Sequence, residues 1–274
     1  MSIDLFNQTL YEKPSTVKEY ICTQKELWIE EKTIFEKYEQ HIKDKTILDV
    51  GCGGGRTAIA LSELTSNYTG IDYSMEMVKA CQKWHSSLNF LHGDASDMHM
   101  FDAESFDFIM FSFNGIDCMS HEKRIKTLKE IYRALKNGGI FAFSSHNLDD
   151  CKIVTAFNKY DMKRPRAIAK NFLNVMSYLK VRKYQIHTDT YEILSDPLAG
   201  FGHLTYYIRK PEQVKQLVNV GFQNIVILNR QAQFVDMNSL DRDSEWLHYV
   251  CQKPMSKSMS KTNCNDRNEH SQQK

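Results

Sequence analysis

The chain divides by the rhythm of its apolar positions. Residues 1–45 are polar, with an approximate helical stripe at Leu27, Trp28, Ile34, Phe35 and Tyr38, the spacing of helices that bury one face. From Thr46 the rhythm changes to short apolar runs alternating with amphipathic stretches. Residues 46–50, Tyr68–Asp72, Asn89–His92, 106–113 and 140–144 read as strands. The fourth is almost wholly apolar, as expected when both sheet faces are covered. Arg56–Leu64 reads as a helix, and Ser74 is placed to cap the next, which carries Met77, Val78 and Cys81. The clearest helix spans 121–136, with Ile125, Leu128, Ile131, Tyr132 and Leu135 on one face and Asn137-Gly138-Gly139 as its stop. This alternation predicts an α/β fold, a doubly wound and mostly parallel sheet.

After His146 the regular pattern lapses until about Thr205, so a mid-chain cap insertion is expected at about 148–204. Pro211 then opens a helix carrying Val214, Leu217 and Val218 and ending near Gly221. Residues 222–228 and 246–250 read as two closing strands. The expected organisation is an N-terminal helical segment (1–45) over the ligand site, a main domain (46–252), and a disordered tail (253–274) of Ser, Lys, Asn, Gln and Asp with little to bury.

Composition narrows the classes. A chain of 274 residues is long enough for one sizeable α/β domain with an insertion. A net charge of +1 gives no global pull toward nucleic acid or membrane, so any such pull must come from a local patch. The seven cysteines form no C-x-x-C pair, which argues for free thiols in a reducing cytosol and against a disulfide framework or a zinc site. The start lacks a basic segment followed by an apolar core, and no apolar run approaches the roughly 20 residues that span a bilayer. The expectation is a cytoplasmic protein with no membrane partner and no metal.

The chemistry concentrates in Ile47-Leu48-Asp49-Val50-Gly51-Cys52-Gly53-Gly54-Gly55-Arg56, followed by Gly70-Ile71-Asp72-Tyr73-Ser74. A glycine turn after a buried strand lets the backbone approach a ligand closely, and the next helix points unpaired N–H groups into the same crevice. Asp72 ends the neighbouring strand, where a carboxylate can accept from both hydroxyls of a ribose. Asp94 ends the third strand, placed to accept from an adenine amine. A dinucleotide site also uses a glycine loop and a ribose acid, but here an acid precedes the glycines, where it suits a cation better than a pyrophosphate. The final glycine of G-x-G-x-x-G also falls on Arg56, and a Lys-Asn-Gly-Gly turn precedes the fifth strand.

On these residues the chain resembles the class I S-adenosylmethionine-dependent methyltransferases, strongly over about 45–147 and more weakly over 205–252. Asp49-Val50-Gly51-Cys52-Gly53-Gly54-Gly55 is similar to the family's first motif, Asp72-Tyr73-Ser74-Met75-Glu76-Met77 to its second and Gly93-Asp94-Ala95 to its third. Phe106-Asp107-Phe108-Ile109-Met110-Phe111 resembles the fourth strand, and Tyr132-Arg133-Ala134-Leu135-Lys136-Asn137-Gly138-Gly139 the helix and turn before the fifth. The resemblance implies a Rossmann-like sheet whose last two strands form an antiparallel edge hairpin, with S-adenosyl-L-methionine as cofactor. It implies Asp49 facing the cationic methionyl end, Gly51 and Gly53 lining the cofactor, Asp72 holding the ribose, Asp94 with Ala95 framing the adenine, and Tyr73 among the cofactor contacts. Met77 packs either on the adenine or in the core, and Phe111 or Ser112 borders the sulfonium.

The acceptor side is less marked. Methyl transfer is an in-line displacement in which positioning can supply much of the catalysis. Ser112-Phe113-Asn114 is not the Asn/Asp-Pro-Pro-aromatic motif of amide and adenine-N6 methylation, and no metal-ligand set of the catechol type is present. His146 and Asn147 fall where the crevice should open, and His146 is the candidate general base; the plainer reading is a histidine hydrogen-bonded at a strand end. Asn114, His203, Tyr206 and Tyr207 are the other candidate acceptor contacts. Strand alternation makes one of the two tyrosines core. The segment 152–184 carries Lys152, Lys159, Lys163, Arg164, Arg166, Lys170, Lys180, Arg182 and Lys183 against Asp161, with Phe157, Tyr160, Phe172, Tyr178 and Tyr184 interleaved. Three readings stand: an amphipathic lid with Phe172, Val175, Met176 and Leu179 packed on the core, a cap for an anionic small molecule, or an RNA surface. The leading expectation is methyl transfer to an oxygen or nitrogen of a small molecule. An RNA-modifying methyltransferase and a non-catalytic S-adenosylmethionine-binding protein are the alternatives. Tyr11, Tyr20 and Trp28 are the candidate lid aromatics.

Overall fold

A computed structural model describes residues 3–23, 26–150, 165–195, 202–239 and 242–256, the side chains of 22, 23 and 165–171 excepted. Three helices, α1 (Ile3–Tyr11), α2 (Pro14–Thr23) and α3 (Ile29–Lys37), precede the sheet. The alternating unit follows as β1 (Ile47–Val50), α4 (Arg56–Leu64), β2 (Tyr68–Asp72), α5 (Met75–Trp84), β3 (Asn89–His92), β4 (Phe106–Phe111), α6 (His121–Ala134) and β5 (Leu135–Asn147). Strands β3-β2-β1-β4-β5 are adjacent in that order and parallel. Strand β1, wholly buried, sits at the centre. Above and below it lie two apolar layers, one around Leu48, Ile109, Phe141 and Leu128, the other around Ile47, Phe108, Ala58 and Ile34. The closing strands β9 (Gln223–Leu228) and β10 (Trp246–Gln252) make an antiparallel hairpin, with β10 antiparallel to β5.

Two boundaries differ from expectation. Helix α6 ends at Ala134, because the N–H groups of Glu104 and Ser105 take the carbonyls of Arg133 and Ala134 and Leu135 already pairs with Phe106. The Asn-Gly-Gly turn therefore lies inside β5. Strand β4 stops at Phe111 because Phe113 and Asn114 both adopt left-handed φ, at 51° and 55°.

The larger correction concerns the cap. Residues 165–208 hold a helix, α7 (Pro165–Val181), and strands β6 (Ile186–His187), β7 (Tyr191–Ser195) and β8 (Leu204–Ile208) that continue the sheet antiparallel to one another. Strand β8 joins β5 in parallel at His146 and Asn147, beyond the last β4 pairing at Phe143 and on the edge opposite β10. The pattern lapsed in the sequence because Leu204–Ile208 is buried on both faces and β6 is two residues long, so neither alternates. Residues 151–164 and 196–201 of the cap, and the tail from 257, lie outside the described residues. Lys253, expected to open the tail, is buried and donates through Nζ to the Leu135 carbonyl at 2.8 Å. Helix α8 (Lys210–Val220) completes the fold, with Pro211 in its first turn and Gly221 at its left-handed C-cap.

Candidate functional site

The carboxyl ends of β1, β2, β3 and β4 open on a cavity, the place where open α/β sheets bind their ligands. Its floor is the glycine turn. Gly51 and Gly53 have φ of 62° and 52°, left-handed values that cost a side-chain-bearing residue. A Cβ on Gly51 would also run into the Phe111 ring. Asp72 is held rigidly: Oδ2 accepts from the Gly53 N–H at 2.9 Å and Oδ1 from the Ser74 N–H at 2.8 Å. Each oxygen keeps a further acceptor position toward the cavity. Burial pushes the Asp72 carboxyl up to about 6, against those two hydrogen bonds, so a ligand that donates to it relieves a cost already present. Asp94 is anchored by Ser96 and by Lys123, whose Nζ lies 2.7 Å from Oδ2. Burial raises its carboxyl, but Lys123 and Ser96 together hold it below the usual range.

The N-terminal segment covers this cavity. Tyr11 and Tyr20 line it with Asp4. The Tyr11 ring meets Tyr20, Tyr73 and His203 edge-on at centroid distances of 5.4 to 5.8 Å. Glu12 accepts from the Met75 N–H at 2.9 Å, placing a carboxylate at the start of α5. Asn7, fully buried, donates to the carbonyls of Cys118 and Leu204. Glu31 of α3 takes Arg56 bidentately, at 2.5 and 2.6 Å, and Ser112 bonds to both residues. That buried cluster ties α3 to the glycine turn and to the end of β4. Its Glu31 carboxyl is raised by burial but held below the usual range by Arg56 and Ser112.

Beyond the cavity wall stands a second constellation. Phe113 and Gly115 line the cavity, and Asn114 between them turns the other way, its Nδ2 3.4 Å from His146 Nε2. Asp117, with no exposed surface, accepts from the His146 backbone N–H at 2.7 Å and from Nδ1 at 2.8 Å through Oδ2. Its Oδ1 accepts from Arg124 at 2.5 Å and Ser145 at 2.8 Å. These bonds assign the Nδ1–H tautomer of His146, leaving Nε2 as the acceptor. Around the imidazole stand Tyr207 at 4.9 Å and Trp246 at 6.1 Å. Trp246 and Trp28 clamp the Arg230 guanidinium at 4.1 and 4.0 Å.

Of the residues singled out in the sequence, Gly51, Gly53, Asp72, Tyr73, Met77, Asp94, Ala95, Phe111 and Ser112 meet at the cavity. Asp49 does not reach it. Its Oδ2 accepts from Thr57 at 2.6 Å and Tyr68 at 2.9 Å, its Oδ1 is buried with no hydrogen-bond partner, and burial pushes the carboxyl up to about 6. Asn114, His146 and Tyr207 gather on the far side of the wall. Tyr206 points away into the core, stacked on Tyr191 at 4.8 Å and bonded to His121. Asn147 joins the chain before β10, donating to the Ser244 carbonyl, and His203 packs on Tyr11. Trp28 lies against Phe113 and Trp246, away from the cavity lining. Sequence reasoning missed Asp117, Arg124, Lys123 and Glu31. Arg124 and Lys123 stand in the first turn of an amphipathic helix, where charge reads as solvated. Asp117 pairs with a histidine 29 positions on, which no local pattern reveals.

Residues 47–139 match the family model of a methyltransferase domain. Phthiotriol/phenolphthiotriol dimycocerosates methyltransferase of Mycobacterium tuberculosis is 35% identical over 104 residues, 36% of this chain and 37% of the relative. The Mycobacterium leprae protein of the same name is 35% identical over 108 residues, 38% of each. The chain thus spans little more than a third of the length of these relatives. A SAM-dependent methyltransferase from Methanosarcina mazei superposes with a TM-score of 0.55 at 19% identity, over 84% of this chain and 99% of that one. The 1,6-didemethyltoxoflavin-N1-methyltransferase of Burkholderia thailandensis, solved with its acceptor and S-adenosylhomocysteine, superposes with a TM-score of 0.53 at 14% identity, over 90% and 88%. With strand order, glycine turn and strand-end aspartates in agreement with these matches, residues 47–139 form a methyltransferase domain, set in the fold of the S-adenosylmethionine-dependent methyltransferases.

Proposed function

We propose that this chain transfers a methyl group to an oxygen or nitrogen of a small-molecule acceptor, with His146 as the general base. The family's cofactor is S-adenosylmethionine, and the cavity suits it: a raised, partly satisfied carboxylate at Asp72 for a ribose, and Asp94 with Ala95 and Met77 on the adenine side. Gly51 and Gly53 leave room for close backbone approach, and Asp49 supplies a buried carboxylate behind the turn. When bound, S-adenosylmethionine supplies an electrophilic methyl group on a sulfonium.

The chain's own part is to place the acceptor and take its proton. His146 Nε2, the acceptor nitrogen of the assigned tautomer, receives the proton of an acceptor O–H or N–H that displaces the Asn114 Nδ2 donor now 3.4 Å away. Asp117 keeps Nδ1–H directed inward and stabilises the imidazolium that forms. Asn114 bridges the two halves, since its neighbours line the cavity and its amide touches Nε2. The Asp117–His146 pair carries the proposal, because a histidine needed only to finish a strand has no use for a buried carboxylate on its ring nitrogen. The test is incubation with labelled-methyl cofactor and a fractionated cell extract. Label is expected in a low-molecular-weight fraction and absent with His146→Gln. Label confined to RNA or protein, or uptake by His146→Gln equal to wild type, would refute it.

A further inference from the structure

Over its described side chains, 172–181, helix α7 is inverted relative to an ordinary surface helix. Asn174 and Val181 face inward, at 9% and 2% exposure, while Phe172, Leu173, Val175, Met176 and Leu179 are exposed at 65, 64, 41, 41 and 44%. At 3.6 residues per turn these five occupy an arc of about 160°. They do not pack on the core, as the simple lid reading required. Beyond the helix, Ile186 is also exposed, at 40%. Contiguous exposed apolar surface on a folded chain marks an interaction site. Val181 seats the described part of α7 on the layer formed by Ile193, Leu204, Tyr206 and Ile208.

Charge identifies what this face meets. Lys180, the last residue but one of α7 and on the same face as the apolar arc, and Arg182 and Lys183 in the turn just after it are all exposed, and segment 152–184 holds nine cationic residues against a single acid. The rest of the chain compensates to a net +1, so the positive charge is local. Of the five residues of the arc only Phe172 offers a ring for a base to stack on, and Leu173, Val175, Met176 and Leu179 offer none, which disfavours RNA. A face of Phe, Leu, Val and Met rimmed by Lys and Arg matches a helix lying in the headgroup region of an anionic bilayer. We infer that α7 docks this protein on anionic membrane surfaces, with the apolar arc entering the acyl boundary and Lys180, Arg182 and Lys183 against the headgroups. No helix among the described residues is long and apolar enough to cross a membrane, so the attachment is peripheral and reversible. It is independent of the methyl acceptor.

The test is co-sedimentation of the full chain with vesicles of phosphatidylglycerol and phosphatidylcholine, against phosphatidylcholine alone. Binding is expected only to the anionic vesicles and is expected to fall with salt. The double variant Met176→Asp and Leu179→Asp should weaken it at least tenfold. Neutralising Lys180, Arg182 and Lys183 to Gln should weaken it on the order of a hundredfold. All five side chains are exposed, so unchanged thermal midpoints and S-adenosylhomocysteine affinity are the fold controls. Failure to sediment with anionic vesicles would overturn the inference, as would undiminished binding by the Met176→Asp/Leu179→Asp variant. Self-association abolished by that variant, without vesicle binding, would assign the face to a second copy instead. RNA binding insensitive to it, again without vesicle binding, would return the cap to the nucleic-acid reading.

Discussion

Replacing Asp117 by Asn changes one atom and should reverse the tautomer of His146. The native carboxylate accepts on both oxygens, from Arg124 and Ser145 on one and from the His146 backbone N–H and Nδ1–H on the other. An amide keeps a single acceptor oxygen. Facing its NH2 to the fully buried Arg124 guanidinium would set donor against cation, so the oxygen should stay with Arg124 and the NH2 turn to His146, at the further cost of opposing the His146 backbone N–H, from which Oδ2 now accepts. Nδ1 then becomes the acceptor and Nε2 carries the proton, leaving it unable to deprotonate anything. Arg124 keeps Ile116, Ser145 and Gln213 as partners but loses its counter-charge, a loss worth about 3–5 kcal/mol in buried pairs. That corresponds to a drop in Tm of roughly 6–20 °C for a chain of this size. Turnover should fall about 10²–10⁴-fold, the usual contribution of a general base, with KM for the cofactor unchanged.

Long-range proton–nitrogen NMR of the imidazoles reads the tautomer without an identified acceptor, His146 being assigned by its absence in His146→Gln. A protonated Nδ1 is expected in wild type and a protonated Nε2 in Asp117→Asn. If the variant folds, keeps the native tautomer and turns over within threefold of wild type, Asp117 does not orient the base and the proposed mechanism fails.

Asp72→Ala should weaken S-adenosylhomocysteine binding about 100-fold, the worth of two hydrogen bonds to a charged group, read by calorimetry; micromolar binding retained would displace Asp72 from the ribose. Asp49, raised by burial to about 6 from an ordinary 3.8, holds its proton longer in the folded state. Its contribution to stability is therefore fully present below about pH 4 and lost as pH rises through about 6. Urea denaturation should show a shallower decline over that window in Asp49→Asn than in wild type, and equal slopes would refute the assignment. His248 runs the opposite way. Burial depresses it to about 4, so its contribution is present above pH 6.5 and lost as pH falls toward 4, a loss His248→Phe should remove from the same curves. Glu31→Gln removes the negative partner of the buried Arg56 and should lower Tm by several degrees while weakening cofactor binding, measured by differential scanning fluorimetry with and without S-adenosylhomocysteine.

The residues that line the cavity were legible because their pattern is local. A glycine turn, Asp72 and Asp94 each sit at a strand end that apolar runs announce, and a parallel sheet brings strand ends together. The acceptor side was not, because its bonds join positions far apart: Asp117 to His146, Arg124 to Gln213, Glu31 to Arg56. His146 itself was singled out from its position after β5, without Asp117, on which its proposed role rests. The cap misled in a different way. Apolar residues at helical spacing were expected to pack inward, yet Asn174 and Val181 do so while Phe172 and Met176 face solvent. Periodicity reveals that a helix has an apolar face and says nothing of what that face meets.

The two halves of the site meet at Ser112, Phe113 and Asn114. Two consecutive left-handed residues, neither of them glycine, cost of order 1–3 kcal/mol each and persist only where the surroundings over-determine them. Here they are held from three directions. Ser112 is locked by Arg56 and Glu31, the Asn114 N–H by Ser144 Oγ at 2.8 Å, and the Phe113 ring by Tyr20 and Trp28. Straightening the turn would carry Phe113 off the cavity wall and Asn114 away from His146 together. Both Tyr20 and Trp28 come from the N-terminal segment, as does Glu31. That segment therefore does more than cover the cavity: it holds the turn that sets the distance between the cavity and the proposed base, and loosening it should weaken acceptor turnover as well as cofactor binding.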